Sequence, residues 1–370
     1  MLRKFEVKNF MGFKENFCFD LTTNKKYEEN QEMVEKGTVK KALIFGENGS
    51  GKSNLCSAIM DITFHIVDKE KLIIPNIAYL NADNRENRAT FKYHFLFGKK
   101  RVVYEYAKSS CLELCFEKLY INEEQVLEYN YFDDTHNFIK IPGTENLNKI
   151  HLPQHLSMIK YIFGNTVQKD DSIVKQLVEF VNGMLYFKSL LDGNRYMGYK
   201  LGPDDMSSII LRKNKLLDFQ NFLKDMGIHY NLVVVPTANG MQTIGVRFAS
   251  GKTIELFQIA SSGTKTLWLF YCWLLEFENL KMLVIDEFDA YYHYDLSEKI
   301  LKLVNKFTNL QSVITTHNTF LMSDRVTRPD CCYIIKDRQK ISPLCKLTKG
   351  ELRKANNLEK MYREGKFVDF

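Results

Sequence analysis

Apolar and polar residues alternate at the start of the chain. Phe5 and Val7, then Phe17, Phe19 and Leu21, flank Met11-Gly12, and this pattern predicts an opening β-hairpin. A polar, charged loop follows over residues 22–37. Residues 39–45 then form a short apolar strand that runs straight into a glycine-rich turn, and 52–67 take up helical spacing. Period two returns over 91–127: Phe91, Tyr93, Phe95 and Phe97 share one face, a turn stands at Gly98-Lys99-Lys100, and alternation resumes through Tyr104, Tyr106, Leu112, Leu114 and Phe116. That is the pattern of an antiparallel meander. From about 151 to 226 the spacing is helical, as in Ile173, Leu177, Val181 and Leu185, with a break at Gly202-Pro203. Strands over 232–235 and 244–248, with turns at Asn239-Gly240 and Ser250-Gly251, precede a helix over about 264–277. A strand over 282–285, a helix over 295–307 and strands over 312–315 and 333–336 complete the predicted elements.

Composition narrows the class. A chain of 370 residues, 45% hydrophobic, supplies the core of one large α/β domain or two modest ones. It contains no apolar run near the roughly 20 residues that cross a bilayer. The opening Met1-Leu2-Arg3-Lys4-Phe5-Glu6 is a charged alternation rather than a signal segment, so the expected location is the cytoplasm and no membrane partner is expected. The eight cysteines lack zinc-like spacing and read as free, mostly buried thiols. The net charge of +6 is mild, but between Lys336 and Lys366 ten Lys/Arg face four Asp/Glu, a surplus of six. Such a segment suits nucleic acid or an acidic partner, and a solvated helix face gives the same count.

The glycine-rich turn changes the picture most. Gly46-Glu47-Asn48-Gly49-Ser50-Gly51-Lys52-Ser53 fulfils G-x-x-x-x-G-K-[ST], with the strand before it and the helix after it that a phosphate loop needs. Glycines let the backbone curl so that its N–H groups face phosphates at a helix N-terminus; Lys52 offers a point charge, and Ser53 a hydroxyl for Mg²⁺. The strand Met282-Leu283-Val284-Ile285-Asp286-Glu287 ends in two carboxylates, the other half of such a site. Asp286 is placed to hold Mg²⁺ through water, and Glu287 to orient or deprotonate the attacking water. The cofactors expected are therefore ATP and Mg²⁺.

Two further segments resemble elements of ABC-type ATPases. Ser261-Ser262-Gly263-Thr264-Lys265-Thr266, at a helix start twenty residues before the acidic strand, resembles the ABC signature motif, in which a Ser and Gly approach the γ-phosphate held by the other subunit. Ser312-Val313-Ile314-Thr315-Thr316-His317 resembles the strand that ends in the γ-phosphate-sensing switch histidine. The order predicts an α/β, ABC-type P-loop fold like an SMC or Rad50 head, with an antiparallel β subdomain and a helical insertion. Its expected parts are a first ATPase lobe over 1–150, the insertion over 151–226, a second lobe over 227–336 and a basic tail over 337–370.

With the opening Phe5-x-Val7-x-Asn9-Phe10, the strand ending Asp286-Glu287-Phe288-Asp289, Thr316-His317-Asn318 and the closing Leu358-Glu359-Lys360-Met361-Tyr362-x-x-Gly365-Lys366, the chain is similar to AAA15/AAA21-type ATPases, the AbiL-like or OLD-like ABC heads. The resemblance covers both ends of the chain and only loosely its middle. It implies Glu287 and His317 as catalytic residues and Ser262, Gly263 and Lys265 as residues that a second copy brings to the nucleotide, hence a homodimer or higher homo-oligomer joined through its ATP sites. It further implies a role beside a separate nuclease or toxin, as in the PARIS, Septu and retron-associated antiphage systems. A DNA-binding ATPase of repair or recombination is the competing reading, and a transporter ATPase a weaker one. No long heptad region separates the motif halves, so no coiled-coil arm of the SMC or Rad50 kind is expected between them. Thr264 replaces a second signature glycine, and His293 stands about where SMC heads carry the D-loop aspartate, which implies slow or partner-dependent turnover. Gln125, Gln154 and Gln168 are the candidates for a Q-loop glutamine. The roughly fifty residues after His317 are too few for the Toprim nuclease that follows OLD ATPases, so any nuclease is expected on another chain.

Overall fold

The computed structural model describes residues 1–370 apart from 68–75, 146, 148–149, 189–194, 199–204, 238, 291–292, 354–355 and 368–370, and only the backbone of 76–77 and 195–198. The opening hairpin pairs β1 (Leu2–Lys8) with β2 (Phe17–Asp20), Phe5 opposite Phe19 and Val7 opposite Phe17. The loop beyond it carries the short pair β3 (Val34–Glu35) and β4 (Thr38–Val39). β5 (Lys41–Phe45), buried throughout, delivers the chain to the glycine-rich loop. The helical spacing of 52–67 is realised as two helices, α1 (Lys52–Met60) and α2 (Thr63–Ile66), parted at Asp61-Ile62. After α3 (Asn76–Tyr79) the meander runs through β6 (Ala89–Phe97), β7 (Lys100–Lys108), β8 (Leu114–Ile121) and β9 (Glu124–Asn130), with β10 (Phe138–Ile139) at its edge. The resulting antiparallel sheet has the order β10-β9-β8-β7-β6-β1-β2.

The segment over 151–226 departs from the expected helical insertion. α4 (Met158–Asn165) and α5 (Ile173–Asn182) are helical, each capped by a serine side chain, Ser157 and Ser172. Leu185, four residues after Val181, continues the helical period only by coincidence. It lies in β11 (Met184–Lys188), a buried apolar run that follows Gly183 and pairs in parallel with the acidic strand. β12 (Arg195–Gly198) pairs antiparallel with β11, and α6 (Met206–Arg212) and α7 (Leu216–Asp225) follow. A strand buried on both faces shows no alternation, so a short one is easily absorbed into a neighbouring helical pattern. The expected break at Gly202-Pro203 lies outside the described residues.

Next come the small sheet β13 (Leu232–Pro236), β14 (Gln242–Arg247) and β15 (Thr253–Glu255), then α8 (Leu256–Ile259) and α9 (Ser262–Leu274). β16 (Met282–Asp286), α10 (Tyr294–Lys306), β17 (Gln311–Thr315), β18 (Cys332–Lys336), β19 (Lys340–Pro343) and α11 (Leu358–Arg363) end the chain. The central sheet has the order β12-β11-β16-β17-β5-β18-β19; its inner strands are parallel and its two edge pairings antiparallel.

Alternate residues of the central strands enter two cores. Ala42, Ile44, Val284 and Val313 face α1, α4, α5 and the antiparallel sheet, while Leu43, Phe45, Leu283, Ile285 and Ile314 face α6, α7, α9 and α10. This is the period-two consequence of a sheet covered on both sides. The two halves of residues 151–226 therefore serve different cores, α4 and α5 the first, α6 and α7 the second. The basic segment after 336 is likewise more than a tail. β19 extends the central sheet, and Leu344, Leu347, Leu352, Leu358 and Phe367 are buried in the second core, while the described Lys and Arg side chains of the segment are exposed. Among the described residues no helix is long and apolar enough to cross a membrane.

Candidate functional site

Parallel strands gather their C-terminal ends on one edge of the sheet, where α/β proteins place ligands. β5, β16 and β17 do so here, and each ends in a segment singled out from the sequence. Gly46 leaves β5 so close to β18 that a Cβ on it would stand 2.6 Å from the Ile335 carbonyl oxygen. Gly49 and Gly51 take φ of 76° and 106°, a region costly for residues with a Cβ, and Gly51 is the N-cap of α1. The loop thus curls over the start of a nine-residue helix whose first N–H groups have no intrahelical partner. Lys52 bends back into it, donating to the carbonyls of Gly46 at 2.8 Å and Glu47 at 2.9 Å. Burial pushes its ammonium down, while the Glu287 and Asp286 carboxylates pull it up. The Ser50 hydroxyl is buried with no hydrogen-bond partner, and Ser53 lies one residue into α1.

Across from the loop, one hydroxyl organises the acidic pair. Thr315 Oγ1 donates to Asp286 Oδ1 at 2.8 Å and accepts from the Glu287 N–H at 2.8 Å. Asp286 is buried, and the Tyr186 hydroxyl approaches its Oδ2 at 3.5 Å. Glu287 has φ of 50°, a left-handed conformation that a non-glycine residue holds only when its surroundings demand it. Its carboxylate Oε1 stands 3.9 Å from His317 Nε2. Burial and then the Lys52 charge push the His317 imidazole below its ordinary value of 6.5, against the pull of Glu287, Asp289 and Asp286. Asp289 is pushed up by burial, opposed by Thr316 and His317. Asn48, Glu287, Asp289, His293, His317 and Asn318 line one pocket, together with Ala290 and Tyr294.

The structure therefore brings Lys52, Asp286, Glu287 and His317 into one electrostatic cluster at the mouth of the 46–53 loop. Ser262, Gly263 and Lys265 stand apart. They open α9 behind the Ser261 cap, whose Oγ accepts from the Thr264 N–H at 3.2 Å; Ser262 is exposed, and the Lys265 ammonium lies 4.0 Å from the centre of the Phe257 ring. None of the three is among the residues that line the pocket. The glutamine candidates are engaged elsewhere: Gln125 with Glu128, Gln154 with the Leu114 carbonyl and Gln168 with Thr166. His293, placed near a D-loop position, does line the pocket and caps α10. Sequence reading gave no role to Thr315, Tyr186 or Asp289. Thr315 lay inside a quoted motif, but its bonds depend on the register of β17 against β16, which no spacing along the chain reveals.

Residues 161–323 match the family described as "AAA domain, putative AbiEii toxin, Type IV TA system". No curated protein matches the chain. Solved structures similar to it include the SMC head domain from Thermotoga maritima, at 14% identity over 92% of this chain and 98% of that one, with a TM-score of 0.44. The Smc head with an extended coiled coil from Pyrococcus furiosus is similar at 12% identity over 98% of both chains, TM-score 0.47. A dimeric bacterial ABC transporter cassette is similar at 12% identity over 92% of this chain and 98% of that one, TM-score 0.34.

Proposed function

We propose that this chain is a P-loop ATPase of the ABC class that binds ATP with Mg²⁺ on residues 46–53 and hydrolyses it with Glu287, at sites that two copies complete for each other. The observation that carries the reading is the convergence described above: a carboxylate 3.9 Å from a histidine, beside a buried aspartate and facing a lysine in a phosphate-type loop. The loop suits a polyphosphate, since its glycines curl the backbone, α1 begins at its end, and the Ser50 hydroxyl is buried without a partner. Gly46, Glu47, Asn48, Gly49, Ser50 and Gly51 form the cradle and Lys52 supplies its charge; Ser53 and Asp286 are the residues that would hold Mg²⁺. When bound, Mg²⁺ neutralises phosphate charge. Glu287 orients water and accepts its proton at a carboxylate oxygen. His317, kept uncharged near neutral pH, is a hydrogen-bond donor toward the terminal phosphate.

Ser262 is exposed and Gly263 and Lys265 are half-exposed at the start of α9, which supports their delivery to the nucleotide of a second copy. The wider role we propose is that of a cytoplasmic sensor or scaffold in a bacterial antiphage system, whose nucleotide state controls a separate nuclease or toxin. The motif resemblance supports it, as does a family description that names a toxin–antitoxin system. The charged outer face of residues 336–366 favours the alternative, a DNA-binding ATPase of repair or recombination.

Nucleotide binding and turnover test the chemistry. Lys52→Ala should abolish ATP binding, and Glu287→Gln should retain ATP while hydrolysis stops. Unchanged affinity in the first variant removes the loop from the site, and wild-type turnover in the second moves the base elsewhere. For the wider role, co-purification with a toxin or nuclease encoded beside this chain supports the scaffold. Duplex DNA binding that weakens steeply with salt supports the alternative.

A further inference from the structure

We propose that Arg338 is a positioning residue for nucleotide binding, clamping the phosphate loop from its outer side. The inference rests on the reading of residues 46–53 as the nucleotide site. Arg338 lies in the three-residue turn between β18 and β19, far from every motif read in the sequence. Its backbone N–H donates to the Ser50 carbonyl at 3.0 Å, and its guanidinium Nε donates to the Gly49 carbonyl at 2.9 Å. Two consecutive loop carbonyls are thus held by one residue. In a trans peptide the C=O and N–H point in opposite directions, so fixing these carbonyls outward turns the N–H groups of Ser50 and Gly51 to the opposite, concave side. On that side the Ser50 N–H meets the Glu47 carbonyl at 3.2 Å, and Lys52 Nζ meets the same carbonyl at 2.9 Å. The clamp therefore fixes the orientation of these two peptide groups, with the Ser50 N–H held by the Glu47 carbonyl until an anion replaces it, and this lowers the ordering cost of binding.

Two independent features show that the fold is arranged around this contact. Asp337 and Arg338 both hold positive φ, 53° and 57°, in a turn where glycine or asparagine would be at ease. The arginine side chain also lies across two glycines. A Cβ on Gly12 would stand 2.7 Å from Arg338 Cδ and 2.4 Å from Asn54 Nδ2, and a Cβ on Gly51 would stand 3.2 Å from Arg338 Cγ. The β1–β2 turn thus leaves room for the arginine to reach the loop.

Affinities of the full chain for ATP and ADP with Mg²⁺, measured by calorimetry, test the clamp. Arg338→Ala, a change at an exposed residue, should weaken both by about tenfold, the worth of one charge-assisted hydrogen bond. The melting temperature without nucleotide should stay near that of the wild type, and Arg338→Lys should recover part of the affinity. Gly12→Ala, which must displace the arginine, should weaken binding similarly, and adding Arg338→Ala to it should cost little more. A merely structural arginine would lower nucleotide-free melting and leave the affinity of the folded protein unchanged, and that result overturns the proposal. Lys52→Ala is measured alongside. If it loses binding while Arg338→Ala does not, the clamp alone fails; if neither loses binding, the reading of the loop fails.

Discussion

The hydroxyl of Thr315 donates to Asp286 at 2.8 Å, and the same oxygen accepts the N–H of Glu287. A single side chain on β17 thereby fixes the Asp286 carboxylate and the backbone of Glu287, whose φ is 50°. Thr315→Val keeps the shape and removes both bonds. The bond to the Asp286 carboxylate is worth about 1.5–3 kcal/mol, and the neutral one from the Glu287 N–H about 0.5–1.5 kcal/mol. ATP turnover should fall by about tenfold to a hundredfold, while ATP affinity, which depends on the loop across the site, changes much less. Turnover equal to the wild type would show that Glu287 is held by other means.

In the proposed role His317 would set the acid limb of activity. Burial and the neighbouring Lys52 charge keep its imidazole below 6.5, so the ring is uncharged at pH 7. The folded chain takes up this proton at a lower pH than the unfolded chain does. Between the depressed value and 6.5 the unfolded chain holds more protons, so the contribution to stability is intact above 6.5 and is lost as pH falls through that window. Turnover should decline only below pH 6.5. The drop in denaturation midpoint between pH 7 and pH 5 should be smaller in His317→Ala. Observing the His317 ring by NMR decides the point directly, and titration above 6.5 would contradict the assignment.

The end of α1 is tied to the antiparallel sheet by a buried ion pair. Lys108 Nζ lies 2.7 Å from Asp61 Oδ1, both side chains fully buried, and the Tyr106 and Tyr79 hydroxyls donate to the same carboxylate at 2.8 and 3.0 Å. Lys108→Met leaves that carboxylate without its counter-charge and should cost about 3–5 kcal/mol. Joining it to Asp61→Asn removes the stranded charge, so the double variant should be more stable than Lys108→Met alone in urea denaturation. Equal, additive losses would mean that the pair does not act as a unit.

What the sequence disclosed and what it hid follow one physical line. β5 and β16 are legible because a strand buried on both faces reads as an unbroken apolar run, and here each run ends in a motif with its own chemistry. The meander is legible chiefly through β6, whose buried residues alternate, whereas β7, β8 and β9 break the alternation at Ala107-Lys108, Leu114-Cys115 and Val126-Leu127. β11 was absorbed into a helix because it is short, buried on both faces and follows directly on a true helix. The packing of the C-terminal segment was masked by its charge, since Leu344, Leu347, Leu352 and Leu358 are spaced among Lys and Arg without a clean period. Thr315, Arg338 and the Lys108–Asp61 pair depend on which strands lie side by side. Spacing along one chain carries no information on that.

We propose that the ATP site is shared between two copies of the chain. Lys52, Asp286, Glu287 and His317 gather in one electrostatic cluster, whereas Ser262 is exposed at the start of α9. Lys52→Ala removes the cation that would meet the phosphates in its own loop, and Ser262→Arg would block the surface proposed to meet the partner's nucleotide. Each variant alone should be inactive. A mixed dimer, in contrast, holds one intact site, built from the loop of the Ser262→Arg chain and the α9 start of the Lys52→Ala chain. The decisive measurement is ATP hydrolysis by the two variants separately and after subunit exchange. The account predicts partial recovery in the mixture; no recovery despite demonstrated exchange would contradict it.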